Sequence, residues 1–268
     1  MSVAGPLPFS IFVVAFNEAQ RIGRTLDSVA GLADEIIVVD SRSTDATRDI
    51  ARAKGARVIE RDWPGYGPQK RFAEEQCRNP WVMNLDADEV ATPALIAEIR
   101  ALFARGEPPL DGYVVKQRDI LPGESRAPLF AHALTFVRLY RRDRGRYALS
   151  PVHDVVEMAP GARIGRLHAP LDHYGVQSAD GHLAKLTRYA QAQADDLAAR
   201  GVRVPRWRLW VEYPAAFIKA YLLRRYILRG SAGLDVARNY AEYRRRRIEM
   251  AIARQDSRRN ASQEPRLP

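Results

Sequence analysis

Cysteine is almost missing from this chain of 268 residues: Cys77 is the single one. No disulfide can form within one chain, which fits a reducing compartment. Long apolar runs are missing too. The stretch Ile11–Phe16 stops at Asn17 and Glu18, too short for a signal-peptide core or a membrane span, and no basic segment precedes it. A glycine-rich phosphate loop is also absent. Neither a Walker A sequence nor Gly-x-Gly-x-x-Gly follows the first apolar run, and Gly65-Tyr66-Gly67 reads only as a turn. A disulfide scaffold, a spanning protein, a P-loop NTPase and a dinucleotide-binding fold are therefore all disfavoured.

Surplus charge is absent from three quarters of the chain. The net charge is +10, but fifteen of the 42 Lys/Arg and only five of the 32 Asp/Glu lie in Arg203–Arg259, so that segment carries the whole excess. Such asymmetry points to a charged accessory segment on a neutral body rather than to a nucleic-acid-binding surface spread over the chain.

What is present in the first hundred residues is an alternation. Phe9–Phe16, Glu35–Asp40, Arg57–Glu60 and Trp81–Leu85 read as short apolar strands. Between them lie helical patterns: residues 19–30, with Asn17 as N-cap; a helix running through Ile50 to Lys54, capped by Thr44 or Asp45; and Gln69–Cys77. The order β-α-β-α-β-α-β with short connections implies a parallel, doubly wound sheet. All strand C-termini of such a sheet share one edge, where ligands bind. Asn17–Glu18, Asp40–Ser41 and Asp86-Ala87-Asp88-Glu89 would converge there. On an extended chain Asp86 and Asp88 point to the same side, and two such carboxylates can hold a divalent cation. Glu89 reads as a helix-start acid.

These pieces together resemble family 2 glycosyltransferases of the GT-A fold. The resemblance is carried by Asn17-Glu18, Val38-Val39-Asp40-Ser41-x-Ser43-Thr44-Asp45-x-Thr47, Trp63-Pro64-Gly65-Tyr66-Gly67-Pro68-Gln69-Lys70 and Leu85-Asp86-Ala87-Asp88-Glu89. It covers roughly residues 9–190 and is similar in particular to the lipopolysaccharide-core β-1,4-glucosyltransferase-like subgroup. Arg42 departs from that pattern, where a small residue, often Gly, is usual. The resemblance implies an α/β GT-A domain over residues 1–200, with a nucleotide-sugar half (1–109), an acceptor half (110–200) and a mixed central sheet. Residues 201–268 form a basic helical extension. It also implies roles. Phe16, Asn17, Glu18 and Asp40 contact the base and ribose of a nucleotide-sugar donor. Lys70 and Arg71 lie near its diphosphate. Asp88 is the direct ligand of Mg²⁺ or Mn²⁺, with Asp86 closer to the ribose or a metal-bound water.

In the second half, Gly112–Arg118, Ala133–Arg141, Val152–Met158 and Ala162–Leu167 read as strands without intervening helices, an antiparallel or mixed extension. Arg138-Leu139-Tyr140 resembles a strand of the family, though alone it fits a basic edge strand. Val152-His153-Asp154 takes the place of the subgroup's His-Glu pair. An inverting transferase needs one carboxylate to accept the acceptor hydroxyl's proton, which makes Asp154 the candidate base. His153 is assigned to the substrate, and alone reads as a packed histidine. Asp172-His173-Tyr174 precedes a helix, Gly181–Arg200, and His173 is assigned to the diphosphate or the metal; Asp172 reads as a cap.

In the basic tail, Pro214–Arg229 reads as one amphipathic helix of ~24 Å, short of the ~30 Å bilayer core. With Trp207, Trp210 and Tyr213 ahead of it, it fits either a helix lying in a membrane interface or an amphipathic helix packed on the catalytic domain with a solvated basic face. Leu234–Ala253 reads as a second helix and Gln255–Pro268 as disordered. The expected protein is thus an inverting, metal-dependent transferase at the cytoplasmic face of a membrane. It takes a nucleotide-sugar donor, most simply a UDP-sugar, and a glycan or lipid-linked acceptor such as lipopolysaccharide core. Residues 206–259 meet an anionic membrane surface. A polyprenyl-phosphate sugar synthase is the alternative within the fold. A nucleic-acid-binding protein with a basic arm is the alternative outside it. That last reading is disfavoured because the tail's aromatics cluster with its apolar stripe and do not interleave with the arginines.

Overall fold

The computed structural model describes residues 5–128, 130–150 and 154–263. The chain forms two compact units. One holds the residues up to Asp119 together with Ala133–Gly175; the other holds Ile120–His132 and the chain from Val176 onward.

The first unit begins as the alternation predicts: β1 (Leu7–Ala15), α1 (Ile22–Ser28), β2 (Ala33–Asp40), α2 (Thr47–Ala53), β3 (Arg57–Glu60), α3 (Tyr66–Glu75) and β4 (Trp81–Asp86). There follow β5 (Glu89–Ala91), α4 (Pro93–Phe103), β6 (Gly112–Asp119), β7 (Ala133–Arg141), β8 (Gly145–Tyr147), β9 (Val156–Met158), β10 (Ile164–Arg166) and β11 (Leu171–His173). One mixed sheet runs in the order β3-β2-β1-β4-β7-β6-β11-β5, with β10 also paired to β6. β1, β2, β3 and β4 are parallel. The antiparallel β7 lies between β4 and β6, so it is a central strand and not the edge strand that its arginines suggest.

Alternation along β1 explains why it reads as a continuous apolar run. Phe9, Ile11 and Val13 pack with Ile22, Leu26, Leu95 and Ile99 on one face of the sheet. Phe12 packs with Val39, Ala73, Tyr140 and Tyr147 on the other. A sheet buried on both faces has no polar side to display.

Local readings that fail do so at polar residues. Asn17 does not cap α1: its backbone is left-handed, at φ 53°, and α1 starts after Arg21 without a side-chain cap. Thr44 does not cap α2; Asp45 Oδ1 accepts from Thr47 N at 3.0 Å. Glu89 opens a strand, not a helix. Asp172 is no cap either; it lies within β11 and accepts from Arg118. Three-residue strands such as β5, β8 and β11 are too short to carry a periodic signal.

The second unit is helical: α5 (Ala179–Ala199), α6 (Arg208–Ile218), a π-helical turn (Lys219–Leu223), a 3₁₀ turn (Tyr226–Arg229) and α7 (Gly230–Gln263). Helix α5 groups with this unit, where the sequence reading placed it in the acceptor half: Ala194 packs with Val204, Ile248 and Ala251. The single helix expected over 214–229 is broken at Arg225, whose φ is 60°. Helix α7 continues through Gln263, into the stretch that reads as disordered.

One close approach matters for the site. Gly67, in the first turn of α3, donates from its N–H to Ser150 O at 3.0 Å. A methyl at position 67 would overlap Ala148 O and Ser150 O. Gly67→Ala is therefore expected to destabilise the protein by about 1–3 kcal/mol, as overpacking does; urea unfolding monitored by circular dichroism measures it.

Candidate active site

The C-terminal ends of β1, β2 and β4 bring the first predicted residues together. Phe16 follows β1 and leaves its ring half exposed, at 52%. Asn17 accepts from Thr44 N at 2.8 Å and donates from its own N–H to Ser43 Oγ at 2.8 Å. Asp40 is fully buried at the end of β2, and accepts from Ser43 N at 2.8 Å and from Ser43 Oγ at 2.5 Å. Glu18 pairs with Arg21 and donates from its N–H to Thr47 Oγ1. The two loops are thus tied to each other by side chain-to-backbone bonds. Arg42, in the loop after β2, has φ 63°, which is why a glycine suits that position. Its side chain reaches Asp62 at 2.7 Å.

Lys70 projects from α3 and is almost fully buried. Its Nζ lies 2.7 Å from Asp86 Oδ1 and 2.5 Å from Asp154 Oδ2. Burial opposes the ammonium charge, but Asp86 and Asp154 outweigh it and hold Lys70 well above the usual lysine range. Arg71, one residue on, is not brought to these carboxylates; it acts electrostatically on Glu74. His153 lies outside the described residues.

A second cation completes the cluster. Arg138 on β7 is buried and bonds Asn84 Oδ1 at 2.6 Å, Glu89 Oε1 at 2.5 Å and Asp86 Oδ2 at 3.3 Å. Burial pushes against an ionised Asp86, yet Lys70 and Arg138 hold its carboxyl far below the usual range. Burial and the charge of Asp86 push Glu89 up to about 7, against the pull of Arg138. Tyr147 Oη, 2.8 Å from Asn84 Oδ1, closes the network from the far side.

Asp86 and Asp88 do not share a side. The strand ends at Asp86, and Ala87–Asp88 form a turn, so the extended-chain premise fails there. Asp86 faces the two buried cations, whereas Asp88 Oδ2 lies 3.4 Å from His173 Nε2. His173 is fixed from behind by Asp119 Oδ1, 2.7 Å from Nδ1. The sheet register makes this pairing: Asp119 and His173 are partners in the parallel β6/β11 ladder. Gly175 is required beside it, because a Cβ there would overlap the His173 ring. Burial opposes a charged imidazole, but the bonds to Asp119 and Asp88 push His173 up to about 10.

Among the described residues no group of three or more His, Cys, Asp or Glu forms a closed metal cluster. The pair Asp88 and His173 still fits an open one, a cation taking the place of the Nε2 proton that faces Asp88. Ligands at right angles on a cation ~2.1 Å away stand about 3 Å apart, near the separation seen. Asp119 supplies the outer carboxylate that a ligating imidazole ordinarily has.

Comparison with known proteins shows the family. The sequence profile of "Glycosyl transferase family 2" matches residues 10–163. The chain belongs to this family. It is 36% identical over 232 residues to an uncharacterized glycosyltransferase, RT0209, of Rickettsia typhi, covering 84% of this chain and 80% of the relative. It is 32% identical over 222 residues to the lipopolysaccharide core biosynthesis glycosyltransferase LpsC of Rhizobium meliloti, covering 80% and 81%. A dolichyl-phosphate hexose transferase of Haloferax volcanii matches at 30% over 128 residues, covering 46% and 56%. The expected membership and the GT-A type of mixed sheet therefore hold, and the protein is a glycosyltransferase.

In this family 2 enzyme the residues that sequence reasoning missed are those of the supporting network: Asn84, Glu89, Asp119, Tyr147 and Gly175. Arg138 was visible as part of a family-like strand, but only the central position of β7 turns it inward. Arg138→Met would leave Glu89 buried without its cation. It is expected to cost about 3–5 kcal/mol of stability, read by denaturant unfolding. The loss should shrink as the pH is lowered, because a protonated Glu89 no longer needs the guanidinium.

Proposed function

We propose that this glycosyltransferase moves a sugar with inversion from a nucleotide-diphospho-sugar, most simply a UDP-sugar, to a glycan or lipid-linked acceptor such as lipopolysaccharide core. The observation that carries the reading is the Lys70 ammonium, bonded at once to Asp86 and Asp154. It joins a carboxylate at the donor edge of the sheet to a half-exposed carboxylate able to meet an acceptor. The relatedness to LpsC over four fifths of both chains supports the acceptor class.

In this reading the exposed Phe16 ring, Asn17 and Glu18 meet the base and ribose. Asp40 serves that surface by fixing the loop through Ser43. Asp154 accepts the proton of the acceptor hydroxyl as its oxygen attacks the anomeric carbon, and the bond from that carbon to the diphosphate breaks with its electron pair going to the leaving group. Asp154 sits beside Lys70, which orients its carboxylate until a hydroxyl displaces that contact. Lys70, relieved of one partner, presents its charge toward the departing diphosphate. Asp88 and His173 would hold Mg²⁺ or Mn²⁺, which when bound neutralises the diphosphate oxygens. Asp86, already shared between Lys70 and Arg138, serves the ribose side and does not ligate the ion.

A polyprenyl-phosphate sugar synthase is the second reading, favoured by the match to the dolichyl-phosphate hexose transferase. A phosphate acceptor is already ionised and needs no base, so Asp154 separates the two. With UDP-sugars and Mn²⁺, Asp154→Asn is expected to keep donor binding by calorimetry and to lower kcat about 10²–10⁴-fold. Unchanged turnover on a glycan would move the base elsewhere. Asp88→Ala should keep the fold and lose Mn²⁺ binding, measured by the ion's paramagnetic resonance signal; retained affinity would remove Asp88 from the ion's shell.

A further inference from the structure

Helix α6 and the turns that follow it pack Phe217, Ala220, Tyr221 and Tyr226 inward, yet carry a second apolar face on the outside. Trp207, Trp210, Val211, Ile218, Leu222 and Leu223 recur at three- and four-residue steps, so they form one face. That face points to solvent: Trp210 is 83% and Leu223 75% exposed. Ile227 and Leu228 prolong it with further half-exposed side chains. The inward side carries Ala216 and Ala220 and the acid Glu212, all buried. Glu212 is satisfied there by Arg208 at 2.7 Å, Arg244 at 2.5 Å and Arg247 at 3.5 Å. A helix that buries its carboxylate and displays its tryptophans is not packed for water on its outer side.

The surroundings of this face decide what covers it. Glu212 is the sole Asp or Glu between Arg203 and Arg229, and it is buried, so the segment shows no acid on its surface. Arg203, Arg206, Lys219 and Arg225 are exposed along the same stretch. Apolar and indole side chains within a rim of cations match the acyl and anionic headgroup layers of a lipid surface. A second copy of this chain would bring two positive rims together, which disfavours self-association through this face. Among the described residues no helix is long and apolar enough to cross a membrane.

We infer that residues 207–228 insert the outward face of α6 and its following turns into an anionic lipid surface, lying in the plane of the interface. This assignment is independent of the sugar-transfer chemistry. It also narrows the membrane segment read from the sequence, 206–259. The run Arg244–Arg247 in α7 is engaged by Glu212, Glu242 and Glu249 within the unit, and is not the contact.

The full chain is tested against 100-nm vesicles of phosphatidylcholine, with and without phosphatidylglycerol. Sedimentation should show binding that rises with phosphatidylglycerol, and brominated lipid should quench tryptophan fluorescence. W210S/L223S, at exposed positions, should keep the circular dichroism of the parent and lose about tenfold or more in partitioning. R203Q/K219Q/R225Q should lose the preference for phosphatidylglycerol. Absence of quenching in the parent protein, or unchanged sedimentation of W210S/L223S, would overturn the inference. So would a parent dimer that W210S/L223S converts to monomer without any lipid binding, since the face would then be an interface between copies.

Discussion

A lysine buried between two carboxylates organises the catalytic unit. Lys70 can stay charged in the interior only while Asp86 and Asp154 compensate its lost hydration. Asp86 in turn tolerates burial because Arg138 stands on its other side, and Arg138 because Glu89 and Asn84 complete its fork. Each charge is affordable only in the presence of the next. Such a cluster admits few arrangements, and it fixes the positions of α3, β4, β5 and β7 relative to one another.

That constraint bears on chemistry. An enzyme that stabilises a departing diphosphate gains most when its cations are already desolvated and aimed before the reaction begins. In the proposed reaction the network would do this for Lys70 without a flexible side chain in water. The neighbouring His173 is likewise set before any ligand arrives, by Asp119 behind it and by the space that Gly175 leaves.

How much of this was legible in the sequence varies with the physics of each element. The parallel half was legible because strands buried on both faces give unbroken apolar runs that end at polar residues. Family membership was legible because Asp40, Lys70 and the Asp86–Asp88 segment recur in a recognisable order. The supporting residues were not. Glu89 looks like any acid ahead of a helix until Pro93 is seen to start α4 after an intervening strand. Arg138 looks like an edge charge until the sheet order places β7 at the centre. Asp119 and His173 stand 54 residues apart, and only strand pairing brings them together. In the helical unit the apolar stripe was legible, but its direction was not: periodicity reports that a helix has two faces, never which one is turned outward.

The short strand β11 has a further consequence. It places His173 opposite Glu89 on one side and Asp119 on the other. Arg118, bonded to Asp172 at 2.9 Å, pins that alignment. A slip of one residue would reverse which side chains face the site and exchange an imidazole for the carboxylate of Asp172. The ligand chemistry that the proposed cation site would offer is therefore written in the alignment of a three-residue strand. A change of ion preference in this fold could arise from a shifted backbone with every ligand residue left in place.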